Sequence, residues 1–474
     1  MKFNRRSSVV LVVGLCAIGS AWWYRQDTLT RRLAARPPAQ QTIQQTVPAN
    51  ASPSQTQTAT LRMQATHLEA RVAARPDDVL ARQALVLTYQ QLGQGDQAMA
   101  QLETILRLQP KSPNAYLALA NARLASKQWP QAEQTYRAMT LHWPKEYVGW
   151  QGLAAAQYHQ GHFQEAAMAA QKAQTLQPDS PSNRFILASS LLEYAMQYPQ
   201  PQLHSSALEW ARKEFEKLTQ VWPNTGDIYL RLGRICIATR DFTAAATYLE
   251  KAAQLLPKRA DVPLFLSKAY ASSRNIPAAR RVLEQGVAHH PESADLCDAL
   301  GQLVQSSGEP NADQQSLMLF QKAVQLAPRN GRFQERLGAA SLRANHLDEA
   351  RQAFETAVHL NPNRAFPVQQ LASVYARLHD PKRAATAAKQ SEILNFNAQQ
   401  LSHLEALVNT HQEDVSLHKT LADRYRFIGD KGAARNEYLA LLRLDPQNLH
   451  AQQSLADIDR SPTGTTTASM PPLP

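Results

Sequence analysis

Few residues in this chain are equipped for chemistry, and their spacing argues for recognition instead of reaction. His159 and His162 stand three apart, as a metal pair would, but the turn dipeptide Gln160-Gly161 separates them and no third ligand follows. His289-His290, placed just before Pro291, reads in the same way as a surface pair at a helix end. Cys16, Cys236 and Cys297 make neither a disulfide framework nor a metal-binding interval, and Cys236 falls on a core-facing helical position that suits an inert thiol. The sequence holds no phosphate-binding glycine loop, no nucleophile elbow and no carboxylate pair in a motif context. The expectation is a protein that is not an enzyme and carries neither metal nor cofactor.

The elements that would position any binding residue are easier to read. Ten leucines (Leu85, Leu119, Leu153, Leu187, Leu232, Leu266, Leu300, Leu337, Leu371 and Leu421) occupy one place in a repeated block of about 34 residues. An alanine follows most of them after thirteen residues, and prolines such as Pro76, Pro110, Pro144 and Pro178 close the blocks. Within residues 79–112, Leu85, Tyr89 and Leu92, then Ala98, Leu102, Ile105 and Leu108, step by three and four, which is helical spacing twice over. Gly93-Gln94-Gly95-Asp96 between the two runs supplies the turn, and Pro110 stops the second helix. Each block is therefore a helical hairpin whose apolar stripe is buried only by its neighbours.

This pattern resembles the tetratricopeptide repeat family, most clearly at Trp150-Leu153-Ala154-Phe163-Ala166-Ala173-Pro178 and Tyr229-Leu232-Gly233-Phe242-Ala245-Ala252-Pro257. The resemblance spans residues 79 to 448, with two departures: Ser316 stands for the inter-helix alanine and Phe396 for the closing proline. It implies an all-α fold, a right-handed superhelical solenoid of about ten helical hairpins. It also implies that the first helices line a concave face that takes extended peptides or partner helices. Inward positions projected on that basis are Gln83, Gln90, Asn114, Asn121, Gln151, Tyr158, Phe185 and Ser189, followed by Asp227, Arg234, Asp261 and Lys268. Carboxamides satisfy both donors and acceptors of a peptide backbone, and Tyr158 and Phe185 are placed to grip an apolar side chain. The basic clamp that some members use against a C-terminal carboxylate is not expected, because Asn121 lacks its cationic companions.

The formal charge is +11, yet residues 1–60 hold seven basic side chains against Asp27 alone, a local balance of +6. The remaining +5 is spread over 414 residues, a mixed surface that disfavours nucleic acid as a partner. No small-molecule substrate is expected either. Lys2, Arg5 and Arg6 mark a basic N-tail (1–7), and residues 8–24 run without a charge and end in Trp22-Trp23-Tyr24. A helix of seventeen residues spans about 25 Å, so 8–24 reads as a short transmembrane signal anchor. The alternative is a cleaved signal peptide, for which Gly19-Ser20-Ala21 offers small residues. A short N-tail favours a single-pass, N-in topology with the array on the extracytoplasmic, periplasmic side.

Residues 25–60 form a Pro/Gln/Thr-rich stretch read as a flexible tether, and 61–78 as an N-terminal capping helix. Nine hairpins occupy 79–398, with an eleven-residue insertion around 194–206 and a longer turn near Gly308-Glu309-Pro310. An unpaired helix and linker (399–414), a tenth hairpin (415–448), a C-terminal capping helix (449–460) and a disordered tail (461–474) complete the chain. The function expected is a membrane-anchored scaffold binding protein or peptide partners for envelope assembly, secretion or complex maturation. The alternative is an accessory subunit of a polysaccharide synthesis or export machine.

Overall fold

The structure, a computed structural model, describes residues 55–197 and 201–460. Every regular element among them is an α-helix, twenty-two in all. Packing divides the chain at Pro257/Lys258 into two units. The first contains α1 (Gln55–Ala74) and five hairpins: α2 (Val79–Gln91) and α3 (Gly95–Leu108), α4 (Pro113–Ala125) and α5 (Trp129–His142), α6 (Tyr147–His159) and α7 (Phe163–Leu176), α8 (Pro181–Gln197) and α9 (Pro201–Val221), α10 (Gly226–Ala238) and α11 (Phe242–Leu255). The second contains α12 (Asp261–Ser272) and α13 (Ile276–His289), α14 (Ala294–Gln305) and α15 (Ala312–Leu326), α16 (Gly331–Arg343) and α17 (Leu347–Leu360), α18 (Ala365–Arg377) and α19 (Pro381–Thr410), α20 (Val415–Phe427) and α21 (Lys431–Leu444), closed by α22 (Leu449–Arg460). Each unit is thus a stack of helical hairpins.

Local chemistry sets the helix ends. Asp78 caps α2 by accepting from the Ala81 amide at 2.9 Å, and Asp241 and Asn275 do the same for α11 and α13 at 3.2 Å. Between the two helices of eight hairpins one residue takes the left-handed conformation: Gly93, Gly161 and Gly429, but also Lys127, Arg240, Arg274, Asn345 and His379; the longer α14–α15 turn has two, Gly308 and Asn311. The turn geometry is therefore imposed by the packing of the hairpin, with or without glycine. Second helices end where a proline two residues later forces the preceding residue out of the helical region, as Gln109 (φ −129°, ψ 62°) does ahead of Pro110.

The leucine ladder and its facing alanines form the core. Leu85, Leu119, Leu232 and Leu371 are at most 2% exposed, and Ala132, Ala166, Ala245 and Ala350 are fully buried. At Gly233 a Cβ would fall 2.3 Å from Leu249 Cγ, so only glycine lets α10 and α11 approach this closely. Cys236 and Cys297 are buried, and burial pushes the Cys236 thiol up to about 11. Ser316, in place of the inter-helix alanine, is buried and donates to the Asp313 carbonyl at 3.0 Å, which satisfies its hydroxyl within α15.

Two expectations need correction. The tether does not extend to Thr60, because α1 already begins at Gln55. Once Ala65 and Leu68 are packed, each residue added upstream gains a backbone bond without a new nucleation cost. The insertion at 194–206 takes helical form: α8 has 17 residues and α9 has 21 where regular helices have 13 and 14. All eleven extra residues lengthen the two helices. Finally, residues 399–409 are not a helix of their own. They continue α19, which runs for 30 residues because Phe396, unlike the proline found at that place elsewhere, does not stop it.

No helix among the described residues is long and apolar enough to cross a membrane. The expected anchor (8–24), the basic tail (1–7), the tether up to residue 54 and the C-terminal tail (461–474) lie outside the described residues.

Candidate partner-binding surface

In the first unit, α2, α4 and α6 carry only two charged side chains, Arg82 and Arg123. Both turn away from the shared face of these helices. Arg82 donates to the Pro76 carbonyl (3.0 Å) and to Gln101 of α3 (2.6 Å). Arg123 pairs with Glu103 of α3 (2.9 Å) and Thr135 of α5 (2.6 Å). What remains on the first helices is neutral. Asn114 and Gln90 are exposed, and Gln83, Asn121, Gln151 and Tyr158 are half-buried. Leu80, 73% exposed, extends this register, and Leu87 and Leu117 lie half-buried along it. These leucines were missed in the sequence reading although they share the spacing of Gln83 and Asn114.

The far edge of the strip is aromatic. His159 at the end of α6 stacks on Trp129 of α5, with ring centres 4.3 Å apart and planes 13° from parallel. Tyr158 meets Phe163 edge to face at 5.4 Å, and its hydroxyl lies 3.4 Å from Arg231 Nη1 of α10. A His159 ring stacked on indole belongs to this aromatic edge, and His162 sits at the N-cap position of α7. Among the described residues no three His, Cys, Asp or Glu side chains group as metal ligands.

Phe185 and Ser189 do not lie on this surface as expected. Both are 2% exposed. Phe185 packs edge to face on Phe215 at 5.9 Å and is covered by the Arg231 guanidinium at 5.3 Å. Large side chains on α9 are the reason: it supplies Leu208, Ala211, Phe215 and Leu218, all fully buried, and Phe185 packs into the core they form. Arg234 is already engaged, bonded to both carboxylate oxygens of Glu193 at 2.8 and 3.2 Å, with Arg231 3.6 Å from the same group. Asp227 is 4% exposed, and Asp261 pairs with Arg259. Lys268 is exposed on α12 of the second unit. The expected set therefore divides: Gln83, Asn114, Gln151 and Tyr158 share the first-helix face of one unit, Asn121 turns its Oδ1 to the Tyr136 hydroxyl of α5, and the others do not join them.

The second unit uses the corresponding positions for internal charge pairing. Asp298, 3% exposed, faces Arg336 Nε at 2.9 Å and accepts from Gln302 at 2.9 Å. Glu335, 5% exposed, faces Arg364 at 2.9 Å. Burial raises both carboxyl groups above their ordinary range.

Two tetratricopeptide-repeat family models match the chain, one over residues 93–156 and 237–303, the other over 207–260 and 314–365. Among solved structures, the chain is similar to MamA protein at 19% identity, covering 37% of this chain and 94% of that one with a TM-score of 0.33. It is similar to YrrB, described as a TPR protein with an unusual peptide-binding site, at 18% identity, 39% and 97% coverage and a TM-score of 0.33. A tetratricopeptide repeat protein from Parabacteroides merdae ATCC 43184 matches at 13% identity, with 59% and 99% coverage and a TM-score of 0.41. No curated protein matches the chain. At these identities nothing about partners follows.

Proposed function

We propose that this chain, which is built of tetratricopeptide repeats, is a scaffold that captures an extended peptide segment of a partner protein along α2, α4 and α6. The observation that carries this reading is the absence of any outward charge on three consecutive first helices, with carboxamides and half-buried leucines in register. An unfolded backbone brings unpaired N–H and C=O groups that Gln83, Asn114 and Gln151 match in both polarities, at no cost in charge desolvation. Leu80, Leu87 and Tyr158 add apolar contact. The reading includes single-pass anchoring through residues 8–24 with the array on the periplasmic side, in the service of envelope assembly, secretion or complex maturation. The uncharged run ahead of Arg25 supports that part.

Two experiments test it. Replacing Gln83, Gln90 and Gln151 together by Ala is expected to weaken partner capture at least tenfold while the thermal melt is unchanged. Unchanged capture sinks the peptide-groove reading. A compartment-sensitive reporter fused after Pro474 is expected to be active only outside the cytoplasm, and a cytoplasmic signal reverses the topology.

A further inference from the structure

A second surface, outside the first-helix strip, lies on the latter half of α19. Residues 397–410 repeat the N-terminal helix: His67-Leu68-Glu69-Ala70-Arg71-Val72 of α1 returns as His403-Leu404-Glu405-Ala406-Leu407-Val408. The structural roles return as well. Glu69 accepts from the Tyr89 hydroxyl at 2.6 Å, and Glu405 accepts from Tyr425 at 2.6 Å. Asp78 and Asp414 then cap the helices that follow, α2 and α20. The latter half of α19 is thus a second helix that supports the next hairpin but has no first helix of its own.

In a complete hairpin of the same unit, α16–α17, the three facing positions of the second helix are Ala350, Phe354 and Ala357, and all are fully buried. Phe354 lies so close to α16 that a Cβ on Gly338 would sit 2.8 Å from its ring. The equivalent positions in α19 are Gln400, Leu404 and Leu407, with Gln400 exposed and the two leucines half-buried. One turn earlier, Phe396 is 59% and Ile393 43% exposed. At the start of the array, α1 also lacks a first helix, and there three of the four matching positions are polar, the fourth being the buried Leu68: Thr60 stands where Phe396 does, Gln64 where Gln400 does and Arg71 where Leu407 does. Arg71 reaches Asp78 at 2.8 Å. A helix meant to face water carries Thr and Arg at these places, whereas this one carries Phe and Leu.

We propose that Phe396, Gln400, Leu404 and Leu407 dock an amphipathic helix of a partner protein, which supplies the missing first helix of this half-repeat. The chain's own first helices define the chemistry of that occupant. It is about three turns long, with Leu, a small residue and an aromatic at i, i+1 and i+4, as Leu371, Ala372 and Tyr375 stand in α18. The docking face itself carries no charge, so the contact is apolar. Segments of this chain fit poorly: residues 8–24 have no charged face, and 461–474 contains Pro462, Pro471, Pro472 and Pro474. A second copy would have to dismantle one of its own hairpins to offer a first helix.

The test uses the full chain in detergent and a fluorescein-labelled, acetylated and amidated peptide with the sequence of residues 364–378, followed by anisotropy. Saturable binding is expected, weakened at least tenfold in the variant F396T/L407R, which installs the residues α1 carries at those places. No saturable binding, or equal binding by the variant, overturns the proposal. Sedimentation run in parallel distinguishes the other occupant: a dimer that this variant abolishes assigns the face to a second copy and overturns the partner helix. Circular dichroism confirms that the variant is folded, and Gln400→Arg serves as an independent disruption of the same face.

Discussion

The indole N–H of Trp150 donates to the carbonyl oxygen of Pro144, six residues earlier, at 2.9 Å. The same latch recurs with other donors: Arg184 to Pro178 at 3.1 Å, Tyr229 to Pro223 at 3.0 Å, Gln334 to Pro328 at 3.0 Å and Gln452 to Pro446 at 2.9 Å. In these helices the residue near the start therefore does more than fill space. It satisfies a carbonyl left open where the preceding second helix ends, and so fixes the angle at which one hairpin hands over to the next.

Tyr229→Phe removes only the oxygen of one such latch. The expected loss is about 0.5–1.5 kcal/mol, the usual net worth of one hydrogen bond. Chemical denaturation of the two proteins checks it, and an unchanged midpoint would show that the latch is incidental.

Arg274 is exposed and holds φ +62° at the turn between α12 and α13. A left-handed residue with a Cβ costs about 1–2 kcal/mol, only partly offset by the greater entropy glycine loses on folding, about 0.5–1 kcal/mol. Arg274→Gly is expected to stabilise the chain by about 0.5–1 kcal/mol, read as a higher melting temperature. A lower one would mean that the side chain has a role the turn geometry does not reveal.

Phe185→Ala and Tyr158→Ala should behave differently. The first removes a fully packed ring and is expected to cost about 3–5 kcal/mol, lowering the melt of the first unit. The second trims a half-buried side chain on the strip, with a cost below about 1.5 kcal/mol and a clear loss of partner capture. Similar melts for the two variants would contradict the placement of Phe185 in the core.

His418, 7% exposed, contacts Glu437 through Nδ1 at 2.7 Å and the Gln412 carbonyl through Nε2 at 3.0 Å. The hydrogen bond to Glu437 raises its pKa, against the opposing effect of burial. A raised folded value means that the folded chain holds this proton more tightly than the unfolded one. The stabilisation is full below the ordinary imidazole range near 6.5 and fades as pH rises through the folded value. The melting temperature of the chain is expected to fall over that interval more than that of His418→Gln. Parallel pH profiles would refute the assignment.

The sequence made the hairpins legible because Leu, Ala and Pro recur for reasons local to each block: a stripe, a close approach and a stop. It failed where the outcome depends on what a neighbour does. Nothing in the spacing of Phe185 distinguishes it from Tyr158, and only the side chains that α9 packs around it, Phe215 among them, bury the one and leave the other half-open. Phe396 was noticed as the missing proline, but its consequence, a continuous α19, follows from the absence of a stop signal and not from any positive mark. The left-handed turns at Lys127, Arg240 and His379 escaped for a related reason, since no residue type there announces the conformation. The neutral strip was half legible: its carboxamides were read, and its leucines were not.

The most direct test of the scaffold reading places a photo-crosslinking amino acid at Gln151 on the first-helix strip and, in a second protein, at Met168 of α7, which is 65% exposed and off the strip. Irradiated in intact cells, the Gln151 protein is expected to yield a discrete adduct that Leu80→Arg abolishes, and the Met168 protein none. Equal adducts from both positions, or a Gln151 adduct indifferent to Leu80→Arg, would contradict capture along α2, α4 and α6.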